Sequence, residues 1–212
     1  MEDVIVKEDF FEHNLIDDFW IELKSHNKSI PFVAKNGPFA GKLMADQDKI
    51  HAYDNLPVTQ TIIAKIKEFF NEPIIIREVN YVILHRPWDI HSDEDLPTNE
   101  GYSYFNILIP LQDVDSSTII FNQVSTGNRN FSDYKSKNEK VKDPISQKFW
   151  DERLSFCWPQ DREYLTLHTV CPFQRKGQLV AFNRSLFHSS DSWYKNKDEP
   201  KYFVQILIDK PF

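Results

Sequence analysis

The sequence predicts an α+β fold, an antiparallel barrel or sandwich of strands backed by N-terminal helices, and three observations predict it. Helical periodicity is confined to the first third of the chain. After Pro73 the pattern changes to short runs of β-branched and aromatic residues, without the strand–helix alternation of a doubly wound parallel sheet. Finally, 17 Phe, 8 Tyr and 5 Trp stand beside only 5 Gly, so the core is filled by large flat side chains that suit a pleated surface.

Taken in order, Asp9 and Glu12 read as a capping box, and Phe11, Leu15, Phe19 and Leu23 then recur on one face, which predicts a helix from about Asp9 to Ser25. Pro31 to Asn55 shows no sustained period. A second helix follows Pro57, with Ile62, Ile63, Ile66, Phe69 and Phe70 at helical spacing, and Asn71-Glu72-Pro73 stops it. Strands are predicted at Ile74 to Ile76, Val79 to His85, Tyr102 to Leu111, Ser117 to Phe121, Gln178 to Phe182 and Lys201 to Ile208. Residues 124–176 are too long for a turn; they read as an insertion with a helix start at Asp143-Pro144, either a solvated excursion or a lid over a site. Ten Lys or Arg against seven Asp or Glu make that insertion locally basic in a chain of net charge −7.

A chain of 212 residues is expected to close as one domain, with 1–73 as helical support, 74–123 and 177–212 as core, and 124–176 as the insertion. No apolar run approaches the ~20 residues of a membrane crossing. Met1-Glu2-Asp3-Val4 is acidic where a secretory leader is basic, and Cys157 and Cys171 form neither a disulfide framework nor a zinc spacing. A reducing, cytoplasmic setting is therefore expected. The net acidity argues against a nucleic-acid partner.

Of seven histidines, only His91 has an acidic residue two places on, in His91-Ser92-Asp93. In extended backbone, residues i and i+2 point the same way, so the two side chains can offer a nitrogen and an oxygen to one ion. His188 lies far downstream, just beyond the glycine turn and buried-strand pattern of Gly177 to Phe182, and antiparallel pairing can bring it opposite the first pair. Two imidazoles and one carboxylate on one face leave the other positions of an octahedral metal open, an arrangement that suits Fe(II) better than tetrahedral zinc. The remaining histidines lack such context: His13, His26 and His51 read as structural, and His168 as a hydrogen-bonded interior or edge residue.

With these motifs the chain resembles the Fe(II)- and 2-oxoglutarate-dependent dioxygenases. The likeness is carried by His91-Ser92-Asp93 after a strand, by Pro172 to Phe182 leading into Leu186-Phe187-His188-Ser189, and by Pro200-Lys201-Tyr202-Phe203-Val204-Gln205. The resemblance implies a double-stranded β-helix (jelly roll, cupin-like) core, with His91, Asp93 and His188 holding iron, 2-oxoglutarate as cosubstrate and O2 as oxidant. It implies oxidation coupled to decarboxylation of 2-oxoglutarate, and Asp93 favours hydroxylation, because halogenating members lack that carboxylate. Lys201, thirteen positions after His188, then pairs with the distal carboxylate of 2-oxoglutarate. Most members use arginine there, whose planar fork grips a carboxylate, whereas prolyl-4-hydroxylase-like members use lysine. The prolyl-4-hydroxylase-like and phytanoyl-CoA-hydroxylase-like branches both stay open.

Arg184 and Arg86 are fallback partners for the cosubstrate, and Tyr104, Asn106 and His85 are candidates for further hydrogen bonds to it. Trp88, three residues before His91, is a candidate wall of the site, while Trp20, Trp150 and Trp158 read as packing. The substrate is a small molecule or a protein side chain. The rival reading is a non-catalytic jelly-roll module that binds a ligand or partner.

Overall fold

Along the last predicted strand, Lys201, Phe203 and Gln205 fall on one face and Tyr202, Val204 and Ile206 on the other, and the architecture is organised around that division. A computed structural model describes residues 2–25, 31–33, 43–51, 56–94, 99–127, 130–193 and 200–212. In it, β10 (Lys201–Lys210) pairs antiparallel with β4 (Ile75–Leu84) on one side and β5 (Tyr102–Pro110) on the other. Beyond β5 lie β8 (Leu179–Asn183) and β1 (Val4–Lys7); beyond β4 lie β3 (Leu43–His51) and β2 (Pro31–Val33). A second antiparallel sheet has the order β7 (Leu167–Pro172), β6 (Ser117–Val124), β9 (Leu186–Ser190).

One face of the large sheet carries Tyr81, Phe105, Ile107, Val204 and Ile206, which pack against Phe11 and two helices, α1 (His13–Ser25) and α2 (Pro57–Phe70), through Ile16, Phe19, Ile62, Ile66 and Phe70. Its opposite face carries Val82, Leu84, Leu108, Val180, Phe182 and Phe203, which meet Ile120, Cys171 and Leu186 of the small sheet. Period-2 alternation thus separates a helix-packed core from an inter-sheet core. α2 forms as its sequence dictates: Pro57 sits in the first turn, the isoleucine stripe faces the sheet, and Asn71 ends the helix in a left-handed conformation with its N–H on the Lys67 carbonyl.

The N-terminal region departs from expectation. Asp9 has φ +50°, so it bends the chain instead of capping, and α1 begins at His13. Ahead of it, Val4–Lys7 pairs with β8 as an edge strand too short to show a period. β2 and β3 fall where no period was apparent; Leu43–His51 is largely polar, and composition hides the pattern. His26, read as structural from the sequence, lies outside the described residues.

Within residues 124–176 there are two short helices, α3 (Phe131–Lys137) and α4 (Gln147–Arg153), and a 3-10 turn at Pro159–Tyr164. Asn130 and Ser146 cap α3 and α4 through side-chain oxygens, so Asp143-Pro144 is not a helix start. Phe131, Ile145, Trp150, Leu154 and Leu165 pack on Ile119, Phe121 and Phe187, covering the outer face of the small sheet, and residues 167–172 are a strand of that sheet, not part of an excursion. No helix among the described residues is long and apolar enough to cross a membrane.

Gly177 sits where the lead-in to α1 crosses the sheet, its carbonyl accepting from Phe11 N at 2.9 Å. Its φ is +80°, and a Cβ there would meet the Phe11 carbonyl oxygen at 2.5 Å. Gly177→Ala is expected to cost more than about 1 kcal/mol of unfolding free energy, read as a lower midpoint at unchanged slope in urea denaturation.

Candidate metal centre

An H-x-D pair acts together only where its backbone is extended, and residues 91–93 are held extended by β9. His91 N donates to the His188 carbonyl at 3.1 Å and His188 N to the His91 carbonyl at 2.8 Å, an antiparallel bridge with the two histidines directly opposed. Asp93 N donates to the Arg184 carbonyl at 3.0 Å, and Asn130 bridges to His91 as well. One donor atom from each of His91, Asp93 and His188 lies within 4.8 Å of the others. His188 Nε2 is 3.3 Å from Asp93 Oδ2, and the imidazole centroids are 4.4 Å apart.

Hydrogen bonding fixes how these rings present themselves. Nδ1 of His188 is 3.0 Å from the Leu186 carbonyl and Nδ1 of His91 is 2.6 Å from that of Asp89. A carbonyl can only accept, so each Nδ1 carries the proton and each Nε2 turns out a lone pair. His188 Nε2 is buried with no hydrogen-bond partner, facing a carboxylate oxygen that also accepts only. Leaving a buried polar atom in that condition costs about 1–3 kcal/mol, which a cation between the two acceptors would offset. Bonds of roughly 2.1 Å from such an ion place adjacent ligand atoms about 3 Å apart, close to the observed separation. The residues present therefore fit a divalent metal with an N2O donor set, and the two cysteines, buried free thiols, do not join the cluster.

Asp93 is held at both ends. Asn106 Nδ2 donates to its Oδ2, while the Arg184 guanidinium grips its backbone carbonyl through Nε and Nη2 at 3.1 and 2.9 Å. Arg184 is fully buried, and its Nη1 donates to Asp209 Oδ1 at 2.6 Å. That arginine is a structural clamp, unavailable as a carboxylate grip for the cosubstrate. His85 and Arg86 are exposed beyond the end of β4. Tyr104 is also directed elsewhere: its hydroxyl donates to Glu72 at 2.6 Å and its ring packs on Phe70 and Phe105, and burial, then Glu72, raises its pKa.

From the triad a chain of aromatic contacts through Trp88, Phe203 and Phe173 leads to Lys201. The Trp88 ring is 5.5 Å from that of His91 and 5.9 Å from that of Phe203. The Lys201 ammonium is 3.9 Å from the Phe173 centroid and 5.5 Å from that of Trp193, and it donates to Ser116 Oγ at 2.9 Å. It is 2% exposed, and burial, opposed by the charge of Asp191, brings its pKa down to about 7. Among the described residues no carboxylate touches it, so a cluster able to hold a metal lies at one end of these contacts and a buried cation at the other.

Two further amides on this face, Asn80 and Gln205, carry no motif, and they join Asn106, already a candidate from the sequence. Asn80 and Gln205 are buried and paired in register across β4 and β10; Asn80 Oδ1, Gln205 Oε1 and Asn106 Oδ1 lack protein partners. Their signal lies in the sequence as single amides between apolar neighbours, Val79 and Tyr81 around Asn80 and Val204 and Ile206 around Gln205. His168 lies exposed on the edge strand β7, bonded to Asn122; Trp150 is buried, Trp158 is 69% exposed, and Trp20 packs on Tyr202.

No protein-family model and no curated protein sequence matches the chain. Solved structures do. The non-heme alpha ketoglutarate dependent epimerase SnoN from nogalamycin biosynthesis aligns with a TM-score of 0.62 at 11% identity, covering 99% of this chain and 79% of that one. HygX from Streptomyces hygroscopicus, with nickel and 2-oxoglutarate bound, aligns at 0.57 and 10% identity over 99% and 84%. The viral collagen prolyl hydroxylase vCPH from Paramecium Bursaria Chlorella virus-1, in its 2OG complex, aligns at 0.55 and 11% identity over 100% and 97%. The chain thus has the fold of these enzymes.

Divalent metal is expected to stabilise the protein: Fe(II) under argon, or Ni(II) in air, at about a hundred times its Kd contributes ~2.7 kcal/mol and raises the melting temperature. Asp93→Ala and His188→Ala should each abolish the metal-induced rise in a thermal scan.

Proposed function

We propose that the protein is an Fe(II)- and 2-oxoglutarate-dependent dioxygenase that couples oxidative decarboxylation of 2-oxoglutarate to hydroxylation or a related oxidation of an organic substrate. One observation carries the reading: two imidazoles with outward Nε2 lone pairs converge with a buried carboxylate at one end of an interior whose other end is a buried lysine. The likeness in fold to iron- and 2-oxoglutarate-binding enzymes supports it. The two facing antiparallel sheets are read as a double-stranded β-helix, and residues 1–212 as one oxygenase unit, since β1 and β10 belong to the same sheet. Free buried cysteines accord with a reducing, cytoplasmic setting.

On this reading His91, Asp93 and His188 hold Fe(II), which when bound supplies the redox chemistry that activates O2 with 2-oxoglutarate. The chain's own residues bind, orient and exclude water. Carbonyls of Asp89 and Leu186 fix the imidazole tautomers, and Asn106 and Arg184 fix Asp93. Lys201 receives the distal carboxylate of the cosubstrate, trading its desolvation for an ion pair. Trp88, Phe173 and Phe203 keep the interior poor in water. Asn80 and Gln205 line it with hydrogen-bond acceptors suited to a ligand that donates. The substrate is a small molecule or an amino-acid side chain: HygX has a structure with hygromycin B bound, and a Trichoplax adhaerens prolyl hydroxylase one with a hypoxia inducible factor peptide fragment.

Anaerobic Fe(II) plus 2-oxoglutarate should give a weak visible charge-transfer band, and admission of O2 should give succinate. Asp93→Ala should lose both. Lys201→Met should keep metal binding and raise the 2-oxoglutarate concentration needed by about tenfold or more, the scale of one charge-assisted contact. Absence of the band in the unaltered protein at saturating ligand favours a metal-inert binding module instead.

A further inference from the structure

A lysine ammonium that is 2% exposed needs something to keep it charged before any ligand arrives. The Lys201 ammonium donates to Ser116 Oγ at 2.9 Å; Ser116 Oγ in turn lies 3.2 Å from Asp191 Oδ1 and donates to it. Asp191 is buried, and its Oδ2 accepts from Arg153 Nη1 at 3.3 Å, so its orientation is set from the opposite side by α4. Ser116, Phe173 and Asp191 each sit one residue beyond a strand of the small sheet, before β6, after β7 and after β9. That end of the sheet is thus closed around the ammonium by a hydroxyl, an aromatic face and, one hydroxyl away, a carboxylate. Asp191 is the charge that acts on Lys201, with Arg153 behind it; Asp115 next to Ser116 and Glu152 on α4 are exposed, and β4 presents Leu84 to Lys201 in register.

Resting on the reading of the site given above, we infer that Ser116 and Asp191 are positioning residues for the cosubstrate. They form a relay that favours the protonated form of Lys201 and aims it into the interior while keeping a carboxylate out of direct contact, so that the ammonium stays available to the distal carboxylate of 2-oxoglutarate. A carboxylate in direct contact would occupy the ammonium. With none nearby, the buried amine would lose its proton already below neutrality, because burial lowers its pKa to about 7 even against the opposing charge of Asp191. The interposed hydroxyl transmits the polarisation of Asp191 by accepting from one group and donating to the other. The sign of the pH dependence follows: above the lysine's pKa in the ligand-free protein, binding the dicarboxylate requires uptake of a proton, and affinity falls as pH rises. Removing Asp191 lowers that pKa further and starts the fall at lower pH.

The test is an anaerobic titration of the Fe(II)-loaded full-length protein with 2-oxoglutarate and, in parallel, with 2-oxopentanoate, which keeps the chelating keto acid end and lacks the distal carboxylate. Asp191→Asn should weaken 2-oxoglutarate binding about tenfold at pH 7.5, shift its pH profile down by about one unit with recovery near pH 6, and leave 2-oxopentanoate unchanged. Ser116→Ala should reproduce this and Ser116→Thr should restore it; the Ser116 pair decides the matter if Asp191→Asn does not fold. Unchanged 2-oxoglutarate affinity and pH profile in Asp191→Asn, or equal loss of both ligands, overturns the relay while leaving the oxygenase reading intact. No binding of either ligand to the unaltered protein overturns the oxygenase reading itself, and the relay with it.

Discussion

The exchange of two backbone hydrogen bonds between His91 and His188 is the constraint on which the site depends. It opposes two residues remote in sequence, and because 91–93 is extended, Asp93 follows on the same side. A one-residue slip would turn both side chains of the H-x-D to the other face, so register must be secured by more than the bridge itself. Arg184 secures it, with two guanidinium nitrogens on the Asp93 carbonyl and a third on Asp209 in the last strand. Asp209 also accepts from Arg77 on β4, so the ligand-bearing segment is tied to the large sheet through buried charge. Buried pairs of this kind seldom add net stability, but removing one partner is costly, and that asymmetry specifies a single arrangement.

The two sheets make different contributions to the interior. β10 of the large sheet supplies Lys201, Phe203 and Gln205 along one face, while the small sheet supplies His188 from within a strand and the cradle of Lys201 from its end. Both ends of the interior carry an electrostatic cost in the absence of ligand: facing lone pairs at one end, a desolvated ammonium at the other. Each cost has the sign that a metal cation and an anionic cosubstrate respectively would relieve. A core selected for stability alone would place apolar residues at these positions.

What the sequence made legible is what depends on local pattern. The α2 stripe with Pro57 and Asn71, the alternation of β10 and the H-x-D are all properties of a few neighbouring residues. The same alternation put Lys201 on the interior face. Legibility failed where a neighbour distant in sequence decides the outcome. Asp9 has the residue type of a cap, but it takes a left-handed conformation just before Phe11 meets Gly177. Tyr104 and Arg184 are side chains of the expected chemistry, and only the tertiary fold shows that Glu72 occupies one and Asp93 with Asp209 occupies the other. Ser116 and Asp191 carry no motif at all; they matter because three strand ends meet at one place.

The same reasoning bears on the 124–176 segment. Trp150, Leu154 and Leu165 are at most 1% exposed and share a core with Phe187 on the outer face of β9. Swinging such a unit away would expose several large side chains at roughly 1.5–3 kcal/mol each, too much for an element that opens at every turnover. Its influence on the interior therefore runs through tethers: Asn130 against His91 and Gly127 N on Glu94 at the metal end, and Arg153 on Asp191 at the cationic end. A segment fastened at both ends of the interior acts as a brace, setting the separation between triad and lysine that the proposed cosubstrate would span.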